Sequence, residues 1–166
     1  MRRALQKLTV GIVLRVVHAA LTELNRLDSR VREELQAMPE GMSYSIFTGH
    51  EAPALHVCLQ GGRLLRTKAL AEPVCSLSIK SLPLSFRLFT GQMGLAQAYA
   101  THAFTMKGDV ADVMKLARLV NLVEAYLFPR FITKHILTDI PQTEVCFLRV
   151  YGAIALGFLT FRYRLS

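Results

Sequence analysis

Leu55-His56-Val57-Cys58-Leu59-Gln60-Gly61-Gly62-Arg63-Leu64-Leu65-Arg66 is the stretch on which the fold turns. Leu55, Val57 and Leu59 alternate with more polar neighbours, the period of a strand that buries one face. Gly61 and Gly62 can both take positive φ without a Cβ clash, so they read as the tight turn of a hairpin whose second strand is Arg63-Leu64-Leu65-Arg66. The same period of two extends outward, to Tyr44-Ser45-Ile46-Phe47 on one side and Val74-Cys75-Ser76-Leu77-Ser78-Ile79 on the other. Four strands in this order predict an antiparallel meander, and Ala103-Phe104-Thr105-Met106-Lys107 alternates again as a fifth strand.

Helical spacing surrounds the strands. Leu5, Leu8, Ile12, Val16, Ala19 and Leu24 predict a helix over Leu5–Leu24, and Ser29–Met38 predicts a second, capped by Ser29 and ended by Pro39 and Gly41. Ser81 and Pro83 open a third, with Phe86 and Phe89 on its apolar side and Gly91 at its end. Gln92–His102 reads as a fourth, with Leu95, Ala98 and Tyr99 facing inward. Gly108-Asp109 then leads into a long helix over Val110–Leu127, with Asp109 as N-cap. Its polar residues Asp109, Asp112, Lys115, Arg118, Asn121 and Glu124 fall at every third position, so the polar seam slips by about 60° per step around the axis. The first half is expected on the sheet through Val110, Val113, Met114 and Ala117, and the second half to turn Val123, Tyr126, Leu127 and Phe128 elsewhere. Pro129 breaks the helix, and Phe131–Leu137 adds further helical turns.

The chain has 166 residues, enough for one domain with a substantial core and helical extensions. Its apolar fraction of 52% and mean hydropathy of +0.32 exceed what a domain of this size needs. The surplus suits a ligand cavity, a partner or a membrane surface. A formal charge of +8 raises polyanion binding, but the basic residues are scattered and no basic helix carries aromatic stacking partners, so nucleic acid is not expected. Cys58, Cys75 and Cys146 are widely spaced without a C-x-x-C pair, which points to a reducing, cytoplasmic setting and neither a disulfide framework nor a metal site. The N-terminus reads as an amphipathic helix rather than a signal peptide, because Arg15 and His18 interrupt its apolar run. The histidines His18, His50, His56, His102 and His135 lack metal-ligand spacing, and His50 falls in a turn. There is no G-x-S-x-G, phosphate-binding loop or G-x-G-x-x-G, so the expectation is a non-enzyme without cofactors.

Leu55 to Leu116 resembles the sterol carrier protein two domain family in the order of its parts. These are the strands around Gly61-Gly62, the strand Cys75–Ile79, the helix ending Leu88-Phe89-Thr90-Gly91-Gln92, and Phe104-Thr105-Met106-Lys107-Gly108-Asp109 followed by Val113-Met114-Lys115-Leu116. The resemblance spans residues 44–118. It departs from the family at Thr101-His102-Ala103, where a Gly is common, and in its long terminal helices. The resemblance implies an α+β fold, a five-stranded, mostly antiparallel sheet covered by helices, with an apolar tunnel that takes sterols, fatty acyl chains or other lipids. Bacterial relatives that assist ubiquinone synthesis make a quinone intermediate a fitting cargo. On this reading residues 42–128 form the lipid-binding domain, 1–41 an N-terminal helical extension and 129–166 a C-terminal apolar one.

Phe86, Phe89, Leu95, Phe104, Met106, Val113, Met114 and Ala117 are the expected ligand-binding walls, adaptable because methionine is. The same side chains at the same spacing also suit an ordinary core. Val145–Phe161 is apolar apart from Arg149, with Arg162 and Arg164 beyond it. It reads either as an in-plane anchor on an anionic membrane or as a helix packed on the domain or on a second subunit. The partners expected are a hydrophobic small molecule, an anionic membrane surface, and a partner enzyme or a homodimer. The alternative function is an accessory module that keeps the fold, fills the tunnel with side chains and docks a partner enzyme.

Overall fold

The Gly61-Gly62 turn forms as its chemistry requires. In the computed structural model, which describes residues 2–50, 52–68, 72–128, 143–160 and 163, both glycines have positive φ, 56° and 70°, as a two-residue type I′ turn demands. The turn joins β2 (Ala54–Gln60) to β3 (Arg63–Arg66), with Leu59 opposite Leu64. β1 (Ser43–Phe47) pairs antiparallel with β2; β4 (Cys75–Ile79) and β5 (Phe104–Lys107) complete a five-stranded, mostly antiparallel sheet of order β3-β2-β1-β4-β5.

One pair corrects the expected meander. β4 lies beside β1 and runs parallel to it, Ile46 next to Leu77. Two hairpin reversals leave β3 pointing the same way as β1, and the chain then crosses to the free edge of β1 instead of turning back beside β3. Alternation reports which face a residue occupies and carries no information on which strand is its neighbour.

Residues opposite one another across a ladder share a face. The registers therefore place Tyr44, Ile46, Leu55, Val57, Leu59, Leu64, Cys75, Leu77, Ile79, Phe104 and Met106 on one side, where all but the half-buried Met106 are buried. Helices cover this side. α1 (Arg2–Leu27) packs on β2, β3 and α3 (Leu82–Phe89), while α5 (Val110–Leu127) packs on α1 and on α2 (Ser29–Gln36). Val10, Leu14, Leu21 and Leu24 anchor α1 in the core. His18 is buried beside them, where burial holds its imidazole below the usual range while Nε2 sits 3.0 Å from the Leu64 carbonyl oxygen. On the other side of the sheet the Ser45 hydroxyl lies 2.7 Å from His56 Nδ1. Ser45 itself is fully buried.

Local chemistry explains the element ends, with two corrections. Asp28, not Ser29, caps α2, accepting from the Arg30 backbone N–H at 2.9 Å. A carboxylate is the stronger acceptor there and complements the helix dipole. In α4 (Leu95–Ala100) Ala98 is buried, but Tyr99 is 69% exposed rather than inward, its ring against Phe104. A helix of six residues turns few side chains inward. After α4, His102 takes φ 51°, the left-handed conformation that glycine serves best, held by the Ala103 N–H on the Ala98 carbonyl at 2.8 Å. Gly108 at φ 128° is required sterically, since a Cβ there would come within 2.9 Å of the Val74 carbonyl oxygen. Asp109 caps α5 as expected.

α6 (Phe147–Leu159) packs on α1 and α5 and buries Val150 and Ile154, while Gly157 lies against the Tyr163 ring. At 13 residues it is about 20 Å long, short of a bilayer's hydrocarbon thickness of about 30 Å. The expected break at Pro129, the turns over Phe131–Leu137 and the arginines Arg162 and Arg164 lie outside the described residues.

Candidate functional site

Between the covered sheet face and the helices lies a cavity with about 80 Å³ of room for water-sized molecules. On that measure one water occupies about 10–15 Å³, so the space exceeds the voids of an ordinary close-packed core. The sheet contributes Ile46, Leu77 and Met106, one from each of β1, β4 and β5 in a row of paired positions. α3 contributes Leu88 and Phe89, and α1 adds Val13, Val17 and Leu21.

The remaining wall is α5. Val113, Leu116, Ala117, Val120, Val123, Glu124 and Leu127 line the cavity, followed by Phe128. At about 100° per residue these helical positions form one stripe from Val113 to Leu127, leaving out only the first turn of the helix, where Val110 is exposed. The stripe is thus longer than the expectation of two differently directed halves allows. The second half also buries Leu119, Leu122 and Tyr126, and so presents a further apolar arc, as its pattern suggested.

The slipping polar seam explains how a carboxyl enters this stripe. Asp109 caps the helix, Asp112 pairs with Lys115 at 3.2 Å, and Arg118 reaches Glu34 of α2 at 2.7 Å. By Glu124 the seam has rotated to within about 40° of the line through Val113, Ala117 and Val120, the middle of the cavity wall. Glu124 is the single polar residue among those lining the cavity. Its Oε2 is buried and has no hydrogen-bond partner among the described residues. Burial pushes its carboxyl up to about 7, so the group holds a proton through much of the range in which an ordinary glutamate is ionised.

Of the eight side chains expected as walls, Phe89, Met106, Val113 and Ala117 line the cavity together. Phe86 is packed against the core and Phe104 is buried in it, both off the cavity wall. The side chain of Leu95 lies outside the described residues. Met114 was expected to face the sheet; it is 52% exposed, as Val110 is at 77%. Leu116 and Ala117, not Met114, continue the stripe that Val113 begins, because four residues complete a turn more closely than one. Reasoning from sequence missed the α1 wall, since an N-terminal extension gives no sign of folding back over the sheet. It also missed Glu124, although the drift of the seam was a signal that could have found it.

A polar network, buried at Asp28 and Tyr126 and reaching the surface at Glu144, ties α2 to α5 and to the segment before α6. Tyr126 donates to Asp28 at 2.6 Å and accepts the Glu144 N–H at 3.0 Å. Arg30 donates twice to Asp28, at 2.7 and 3.1 Å, and Glu144 accepts from the Ser29 N–H and hydroxyl at 2.9 and 2.7 Å. Burial works to raise the Asp28 carboxyl, but its bonds from Arg30 and Tyr126 outweigh it and hold the group below the usual carboxylate range. The described residues contain no group of three or more His, Cys, Asp or Glu that could hold a metal ion.

No protein-family model and no curated protein matches the chain. Its fold is similar to solved structures of the sterol carrier protein two type. One is described as "UbiJ-SCP2 Ubiquinone synthesis protein", with 12% identity and a TM-score of 0.46 over 65% of this chain and 96% of that one. A second is sterol carrier protein 2 like 2 from Aedes aegypti, with 14% identity and a TM-score of 0.38 over 57% of this chain and 94% of that one. A palmitated form of the same insect protein shows 12% identity and a TM-score of 0.37 over 58% and 93%.

Proposed function

We propose that the chain binds a hydrophobic small molecule, a lipid, fatty acyl chain or isoprenoid quinone intermediate, and presents it at an anionic membrane surface without transforming it. The lining of the cavity carries this reading. All of its described wall residues but Glu124 are apolar, and an apolar cavity offers water too few partners to hold it while accommodating an apolar guest. Met106 and Phe89 can adjust to a chain of variable shape.

The membrane half of the reading draws on exposed apolar side chains. Leu5, Leu8 and Ile12 lie on the outer side of α1 at 63%, 62% and 50% exposure, with Arg3 and Lys7 among them. α6 exposes Leu148, Leu156 and Leu159 on the side away from its packing face, and Phe147 at its first turn. Apolar residues flanked by cations suit an interface with anionic lipid. α1 is also long and apolar enough to cross a membrane, but Val10, Leu14, Leu21 and Leu24 commit it to the core. A peripheral, cytoplasmic location fits this arrangement and the three free cysteines.

Titration of the full chain with the apolar fluorophore N-phenyl-1-naphthylamine tests the cavity. The expected result is saturable binding that a long-chain alcohol displaces and that Ala117→Trp, which fills the cavity, abolishes in a folded protein. Binding that survives Ala117→Trp, or no binding by wild type, would overturn the carrier reading and favour a module that docks a partner enzyme. Sedimentation with vesicles containing phosphatidylglycerol tests the surface. Replacing Leu5, Leu8 and Ile12 together by Ser should release the protein from the pellet, and unchanged sedimentation of that variant rejects α1 as the contact.

A further inference from the structure

Glu124 differs from every other residue of the wall it belongs to. A leucine would fill the same position with similar volume, and a carboxyl there, buried and lacking a hydrogen bond on Oε2, destabilises the empty protein. Of the other charged residues of the α5 seam, Asp109 caps the helix, Asp112 pairs with Lys115 and Arg118 with Glu34. What α1, α3, β1, β4 and β5 turn toward the cavity is apolar without exception among the described residues. Among the described residues that line the cavity, none is a cation that could neutralise Glu124 and none is a second polar group that competes with it for a guest.

We propose that Glu124 receives the polar end of the bound molecule, and that this molecule is a long-chain lipid ending in an uncharged hydroxyl or carbonyl, such as an alcohol, phenol or quinone. The inference rests on the cavity reading above and adds the head group to it. A protonated carboxyl donates to a carbonyl oxygen and also accepts from a hydroxyl. Burial pushes the Glu124 carboxyl up to about 7, so the donating form is present at neutral pH. A carboxylate or phosphate head would bring a second acid into the same apolar space with no cation among the described lining residues to hold it, and two acids so placed cannot both ionise there. The chain end fits the apolar remainder of the wall, and the single polar group among the described wall residues orients the guest.

The test uses the full chain as wild type, Glu124→Gln and Glu124→Leu, with N-phenyl-1-naphthylamine as reporter and dodecanol, 2-dodecanone and dodecanoate as competitors. All three proteins should bind the reporter. Glu124→Leu should lose about tenfold in dodecanol affinity, which is about 1.4 kcal/mol, while Glu124→Gln, which still donates and accepts, stays close to wild type. Displacement by 2-dodecanone should weaken in wild type between about pH 6 and about pH 8.5, as the carboxyl gives up its proton, and stay flat in Glu124→Gln. Dodecanoate should compete worse than dodecanol in wild type and gain in Glu124→Gln. Equal dodecanol affinity in wild type and a folded Glu124→Leu, or a wild-type preference for dodecanoate, would overturn the proposal. If Glu124→Leu does not fold, the ketone pH profiles of wild type and Glu124→Gln decide, and matching profiles overturn it. Absence of reporter binding in wild type defeats the cavity reading itself; reporter binding with indifference to Glu124 defeats only the head-group assignment.

Discussion

Tyr126 donates its phenolic hydrogen to the fully buried carboxylate of Asp28 at 2.6 Å, joining the C-terminal turn of α5 to the N-cap of α2. The same oxygen accepts the Glu144 N–H, so one hydroxyl fixes three segments. Tyr126→Phe leaves a buried acceptor and a backbone donor short of a partner, and is expected to lower stability by about 1–2 kcal/mol. Asp28→Ala removes the cap and the nearer of two carboxylates beside Arg30, leaving Glu144 at 3.7 Å, with an expected loss of about 2 kcal/mol. Asp28 has a folded pKa below its unfolded one, so its contribution is present above about pH 4 and lost as pH falls through the folded value. Urea titrations at neutral and acid pH should show the penalty of Asp28→Ala shrinking in acid.

Glu124 has the opposite sign. Its folded pKa is raised to about 7 from 4.5, so the folded state holds a proton that the unfolded chain has released. Its contribution is full below about pH 4.5 and declines as pH rises through 7. Glu124→Gln removes that dependence. Its melting temperature should exceed that of wild type at alkaline pH and approach it in acid, as thermal scans at the two ends of the range would reveal.

Met114 and Ala117 are three residues apart on α5, yet one is half exposed and the other lines the cavity. Met114→Asp is expected to stay within about 0.5 kcal/mol of wild type, as surface substitutions do. Ala117→Asp would set an unpaired carboxyl beside the apolar wall and near Glu124, with an expected loss of about 3 kcal/mol or a large rise in its own pKa. Comparable stability losses in chemical denaturation would show that the two sides of α5 are not distinguished in this way.

His102 occupies a left-handed conformation at φ 51° in the turn before β5. The strain of a Cβ in that region exceeds the extra chain entropy that glycine brings, so His102→Gly should stabilise by about 0.5–1 kcal/mol. A fall in the urea midpoint would mean that the imidazole makes a compensating contact.

The sequence alone determined the elements that depend on local chemistry. Period-two runs, Gly61-Gly62, Asp109 as a cap and the spacing of the long helix correspond to β1 through β5 and α5. Such signals are legible because φ preference, capping and side-chain alternation act within a few residues. The resemblance drawn from the ordered motifs likewise described a five-stranded sheet under helices. Tertiary structure decided what depends on distant neighbours: that β4 joins β1 in parallel, and that α1 folds back so Val13, Val17 and Leu21 become a wall. It also decided which part of α5 faces inward, turning Met114 out and Ala117 in, and placed Glu124 in a cavity wall whose other described residues are apolar. Helical periodicity gives the relative angles of side chains about an axis. The direction in which that axis is rolled against the sheet is set by packing, which no local pattern contains.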